Sequence, residues 1–223
     1  MVIDYTEIKH GGFSIYEVPK FLDSKENIYQ GIQDLVRNFR PGISDRADLI
    51  KALKAKALAD GAKNTIQPGP GIQIALHHSD NPHINTLQRT FNRVVLDFHN
   101  SKFGNKGVNT FGHSWVFISN PSNKDTNYHD HIIMSPHEPL MTNTWTWVYY
   151  LELPDNCTGD EGKILFSYNG EDNNALKIFP KKDTLYIFPG HLQHRPELAP
   201  NSTTPRITLA GNVYIEFKDK VLI

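Results

Sequence analysis

The chain has 223 residues, enough for one domain with a core of its own, taken here as 1–223. Its 23 Lys and Arg nearly cancel 24 Asp and Glu, and this balance excludes the strongly basic surface that nucleic acid or an anionic membrane calls for. A single cysteine, Cys157, excludes an internal disulfide framework and a cysteine-rich zinc site, and the first residues, MVIDYTEIKHGGFS, lack the basic-then-apolar pattern of an export signal, so a cytoplasmic protein is expected.

From about residue 24 to residue 100 the apolar spacing is helical. Ile28, Ile32, Leu35, Val36 and Phe39 share one face of a helix that Ser24 can cap and Pro41-Gly42 would stop. A second helix is expected from Ser44 or Asp45 to Gly61, with Leu49, Ile50, Leu53 and Ala57 as its stripe. IQPGPGIQ, residues 66 to 73, reads as a rigid loop, and a third helix follows from Asn81-Pro82 through Ile84, Leu87, Phe91, Val94, Val95 and Phe98. After residue 110 the period switches to two. Strands are expected at 113–119, 144–154, 162–168, 175–180, 184–189 and 206–217, close enough in sequence to pair as antiparallel hairpins. The expected architecture is α+β: a mainly helical part, 1–110, buttressing a β sandwich or barrel, 111–217, in the manner of a jelly roll.

Eleven histidines are present, and one group stands apart from the rest. In NYHDHIIMSPHE, His129 and His131 lie two apart, so on an extended chain both side chains point to the same side and can grip one ion. A third ligand must come from elsewhere, and TLYIFPGHLQHRP offers His191 and His194 at the exit of an apolar strand. Arg206 opens the last strand, with Thr208 on its side of the chain. An arginine inside a barrel needs a carboxylate, supplied by one of the chain's own acids at the rim or by a small dicarboxylate reaching in from the metal.

HDH, then WVYYLELP followed by GKILF, then DTLYIFPGHLQHRP, and finally RITLAGNVYIEF stand in the order seen in iron(II)- and 2-oxoglutarate-dependent dioxygenases. Over about residues 111 to 217 the chain resembles that family, especially its prolyl-hydroxylase-like branch and the short forms of marine bacteria and cyanobacterial phages. The resemblance implies a double-stranded β-helix, a cupin-like jelly roll. It implies His129 as the first metal ligand, His194 as the distal one and Arg206 as the residue that binds the far carboxylate of 2-oxoglutarate, with Tyr150 bonding that carboxylate and Thr208 matching a common hydroxyl. Alternation puts Thr146, Val148 and Tyr150 on the inner face and turns Trp145, Trp147 and Tyr149 outward, against the helices. The family's acid two positions after the first ligand is here His131, which implies a three-histidine site. Asp130 then orients an imidazole, unless a kink makes it the ligand.

The implied activity is a hydroxylase that uses iron(II) and 2-oxoglutarate, with O2 and a peptidyl or free amino acid as partners, and releases succinate and CO2. The loop from Ile132 to Asn143 and the helical half are expected to select the substrate. A neutral triad also accommodates zinc or nickel. Two further readings stand beside this one: a cupin-like three-histidine enzyme that binds substrate without 2-oxoglutarate, and a non-catalytic β-barrel binding protein.

Overall fold

The computed structural model describes residues 4–19, 71–76, 82–104, 107–119, 127–131, 144–204 and 206–217. The first two expected helices and the loop from Ile132 to Asn143 lie outside the described residues. In chain order the elements are strands β1 (Thr6–His10), β2 (Phe13–Val18) and β3 (Gly71–Ala75), helix α1 (Pro82–Phe103), and strands β4 (Gly107–Ser119), β5 (Thr144–Glu152), β6 (Ile164–Ser167), β7 (Leu176–Ile178), β8 (Leu185–Pro189), β9 (Gln193–Pro196) and β10 (Ile207–Phe217). Each strand expected after residue 110 is present, with β4 extended backward to Gly107. Four strands go beyond the sequence expectation: the β1–β2 hairpin across Gly11-Gly12, β3, which overlaps the end of the expected loop, and the short β9.

Two antiparallel sheets result, one of seven strands in the order β1-β2-β8-β5-β10-β4-β3 and one of three in the order β7-β6-β9. They face each other across a core that mixes Ile15, Val148, Tyr150, Tyr186, Phe188 and Ala210 of the large sheet with Ile164 and Phe166 of the small one. This is the double-stranded β-helix. The opposite face of the large sheet is covered by α1.

Alternation along β5 and β10 produces both cores from the same strands. Trp145, Trp147 and Tyr149 point outward with Leu209 and Val213, and there they meet Phe91, Val94, Val95 and Phe98 of α1. Pro82 occupies the first turn of the helix, where a missing N–H costs nothing. Phe91 stacks on Trp147 with ring centroids 4.0 Å apart and planes within 9°. Asn100 ties the helix end to β4 by donating from Nδ2 to the Gly107 carbonyl (3.2 Å) and accepting the Gly107 N–H (2.8 Å). Among the described residues, no helix is long and apolar enough to cross a membrane.

Gly211 lies beneath the Trp147 indole, where a β-carbon would fall 2.6 Å from Cζ2 of Trp147 and 2.7 Å from the His113 carbonyl oxygen. Such an approach forces the sheet and the aromatic stack apart. Gly211→Ala is therefore expected to destabilise the fold by about 1–3 kcal/mol, read as a lower urea midpoint; an unchanged midpoint would contradict this account of the α1–sheet packing.

Candidate metal centre

Residues 127–131 run extended alongside β9. His129 donates its backbone N–H to the His194 carbonyl (3.1 Å) and accepts the His194 N–H (2.9 Å), an antiparallel bridge that sets the two side chains on one side. His131 donates its N–H to the Gly190 carbonyl (2.8 Å), which keeps the segment extended for two more residues, so its ring falls beside that of His129. One ligand nitrogen from each of His129, His131 and His194 lies within 4.8 Å of the others, and Nε2 of His131 is 3.3 Å from Nε2 of His194. Asp130 turns the other way and accepts a hydrogen bond from Gln193 Nε2. His191 is exposed and outside the group.

The outer nitrogens of two of these rings have carbonyl partners: His194 Nδ1 lies 3.0 Å from the Leu192 oxygen and His129 Nδ1 lies 3.3 Å from the Asn127 oxygen. A carbonyl only accepts, so both Nδ1 atoms carry the proton and both Nε2 lone pairs are left for an ion. His131 Nδ1 instead faces the side-chain amide of Asn212 at 3.3 Å. Phe188 and Phe166 pack on the His194 ring, and Trp115 stacks on the His131 ring at 5.6 Å. These apolar walls desolvate two of the three imidazoles. Burial, assisted by the nearby His129, pushes His131 down to about 3, and burial holds His194 well below the usual histidine range. Both are therefore neutral at physiological pH, so neither ring repels an incoming cation. His129 is exposed and marks the open side.

Deeper in the barrel, Arg206 is 4% exposed and Tyr150 2% exposed. Arg206 Nη1 points at the Gly162 carbonyl (3.5 Å), and the Glu197 carboxylate offsets part of a charge that burial disfavours. Burial pushes the Tyr150 hydroxyl up to about 12 against the opposing pull of Arg206, so it remains a hydrogen-bond donor. The chain reaches this geometry through two local devices. Gly162 has φ +73°, and a β-carbon there would come within 2.8 Å of Pro154 and 2.9 Å of Cys157 Sγ, so only glycine brings its carbonyl to Arg206. The β5–β10 register also slips between Ile207 and Thr208, a bulge beside Tyr150 that re-aims side chains at the end of the ladder. The Thr208 hydroxyl faces the Phe117 carbonyl oxygen on β4 at 3.5 Å.

Next to His129 lies an open groove of about 580 Å³ lined by Asn127, Tyr128, Gly170, Glu171, Asp172, Arg195 and Glu197. Arg195 joins Asp172 and Glu197, each at 2.8 Å, and sits over the Tyr128 ring, whose hydroxyl donates to Asp172 (2.8 Å). Sequence reasoning did not reach this rim, because its charges are spread over three segments with no shared spacing. The one available signal was that Tyr128 and Arg195 each adjoin a histidine of the triad.

No protein-family model matches the chain, and no curated protein matches it. Solved structures do. The chain superposes on a prolyl hydroxylase from Trichoplax adhaerens, in complex with a hypoxia inducible factor oxygen degradation domain peptide, with a TM-score of 0.55 at 14% identity, covering 90% of this chain and 83% of that one. A viral collagen prolyl hydroxylase from Paramecium Bursaria Chlorella virus-1, in its 2-oxoglutarate complex, gives 0.50 at 15% identity over 92% and 96% of the two chains. A non-heme α-ketoglutarate-dependent carbocyclase from nogalamycin biosynthesis gives 0.55 at 13% over 91% and 79%. The likeness is one of fold: this chain has the double-stranded β-helix on which those oxygenases are built.

The depressed histidines carry a pH signature. Between about 3 and about 6.5 the unfolded chain binds protons that folded His131 does not, so stability falls as pH is lowered through that window and is unaffected by this group above it. With chelator present, the urea midpoint is expected to decline less steeply with acidification in His131→Phe than in the unsubstituted chain. Parallel declines would show that the ring is not held neutral.

Proposed function

We propose that this chain is an iron(II)- and 2-oxoglutarate-dependent oxygenase that hydroxylates a peptidyl or free amino acid. His129, His131 and His194 hold the metal, Arg206 and Tyr150 bind the far carboxylate of 2-oxoglutarate, and Thr208 lines the same face. The observation that carries the reading is a shared inner surface: three imidazoles converge at one end of it and a buried arginine stands at the other. Along β10 the inward residues between Arg206 and Asn212 are Thr208 and Ala210, both small.

The donor set fits a metal ion. Two nitrogens bound to one first-row ion at about 2.1 Å sit about 3.0–3.4 Å apart, and His131 and His194 already do, at 3.3 Å. Three protein ligands leave positions free for a co-substrate, unlike a closed structural site. When bound, iron(II) with 2-oxoglutarate supplies oxygen activation coupled to oxidative decarboxylation, the source of succinate and CO2. The chain's own residues do the rest. Arg206 meets a carboxylate with a planar fork, and in that dry setting the pairing selects a dicarboxylate over a monocarboxylate. Tyr150 donates a further hydrogen bond, while Phe188, Phe166 and Trp115 keep water off the rings. His129, at the open side, faces the direction from which O2 and substrate arrive. The amino-acid substrate class is drawn from the prolyl hydroxylases that share the fold.

All three imidazoles are uncharged ligands, and that favours a second reading: a cupin-like enzyme whose metal binds substrate directly, without 2-oxoglutarate. Anaerobic addition of iron(II) and then 2-oxoglutarate separates the two. A weak visible charge-transfer band is expected when 2-oxoglutarate is added. Arg206→Ala is expected to weaken the co-substrate by at least ~30-fold, since a buried carboxylate then lacks its partner, and Tyr150→Phe by about 10-fold, the worth of one hydrogen bond to a charged group. Iron binding with no band favours the cupin-like enzyme, and no metal binding leaves a barrel that acts as a binding protein.

A further inference from the structure

The partner of the His131 outer nitrogen differs in kind from those of the other two rings. Asn212 is buried on the inner face of β10; its Nδ2 lies 3.3 Å from His131 Nδ1, and its Oδ1 accepts from Thr146 Oγ1 at 3.1 Å. In this orientation the amide donates to Nδ1, so the neutral ring carries its proton on Nε2. That N–H points at His194 Nε2, 3.3 Å away, which holds a lone pair because His194 Nδ1 donates to Leu192. The arrangement suits a site without a cation, since three inward lone pairs would otherwise repel one another. It also blocks a cation, because a protonated Nε2 is no ligand.

Filling the site therefore requires the His131 proton to sit on Nδ1, opposite an acceptor. An asparagine amide supplies one without moving its neighbours. Turned through 180° about its last torsion, it presents Oδ1 to His131 Nδ1–H and Nδ2 to Thr146 Oγ1, and a hydroxyl can accept as readily as donate. We propose that Asn212 is a positioning residue whose amide rotates with metal occupancy, switching His131 between a closed tautomer bonded to His194 and an open one that accepts the ion. In the switch the Nε2–H bond breaks and an Nδ1–H bond forms, with no change in net charge, the proton travelling through solvent that reaches the open side at His129. The inference rests on the reading of the triad as a metal centre. Thr146 acts as the fixed pivot: it is fully buried, its hydroxyl donates to Asn212 Oδ1 in the orientation seen, and it would accept from Nδ2 in the turned one.

The test uses the full chain labelled with 15N-histidine, its ring tautomers read from long-range 1H–15N spectra without metal and with zinc(II), a diamagnetic probe. His131 is expected to carry its proton on Nε2 without metal and on Nδ1 with zinc. Asn212→Asp, which offers an acceptor in either orientation, is expected to hold an Nδ1 proton already in the metal-free protein. Asn212→Leu, which offers none, is expected to bind zinc about 10–100-fold more weakly while His129 and His194 keep their Nδ1 protons. Two results would overturn the proposal: an Nδ1 proton on His131 in the metal-free unsubstituted chain, or unchanged zinc affinity in Asn212→Leu. Should Asn212→Leu not fold, the comparison between Asn212→Asp and the unsubstituted chain decides. Should the unsubstituted chain bind no zinc, the metal-centre reading fails by itself, while the metal-free tautomers still report whether Asn212 governs His131.

Discussion

Two backbone hydrogen bonds between His129 and His194 join residues 65 positions apart, and the candidate site depends on them. The bridge is antiparallel, so both side chains leave the sheet on one side, and two positions further on the same side is His131. A slip of one residue in this pairing would exchange the inward His131 for the outward Asp130 and give the centre a carboxylate in place of an imidazole. The His131 N–H bonded to the Gly190 carbonyl guards against that slip, as does the hydrogen bond that holds Asp130 to Gln193 on the far side.

The inner surface of the barrel is apolar except where a polar group is matched. Tyr186 closes the deep end by donating to Glu17 at 3.2 Å, and Glu17 in turn receives Lys181 at 2.6 Å. The Tyr150 ring meets that of Tyr186 edge-on, with centroids 5.6 Å apart. Burying the Arg206 guanidinium is costly, and the Gly162 carbonyl together with the Glu197 carboxylate offsets part of the cost. The same dryness, imposed on the imidazoles by Phe166, Phe188 and Trp115, lowers the proton affinity of His131 and His194.

Much of this was legible along the chain because strand alternation is a local property. The inward set Thr146, Val148 and Tyr150 and the outward set Trp145, Trp147 and Tyr149 follow from period two alone, and the structure seats the outward set against α1. Three of the four strands that escaped lack a strong apolar run. β1 reads TEIKH, largely polar and at a sheet edge; β3 follows a Pro-Gly cluster that reads as a loop; and β9, QHRP, owes its strand character to pairing with β6 and with His129. Propensity in such segments is decided by neighbours rather than by composition.

The sequence by itself determined the kinds of chemistry on offer and their order: two imidazoles at strand spacing, a third far downstream, and an arginine and a hydroxyl two apart on the last strand. Covalent geometry enforces those local relations whatever the rest of the chain does. Only the tertiary structure decided that Asp130 faces Gln193, that Asn212 meets His131, and that Tyr128, Asp172, Arg195 and Glu197 form one rim. Those are contacts between segments tens of residues apart, created by sheet register and by the packing of one sheet over the other, and no spacing within a single segment encodes them.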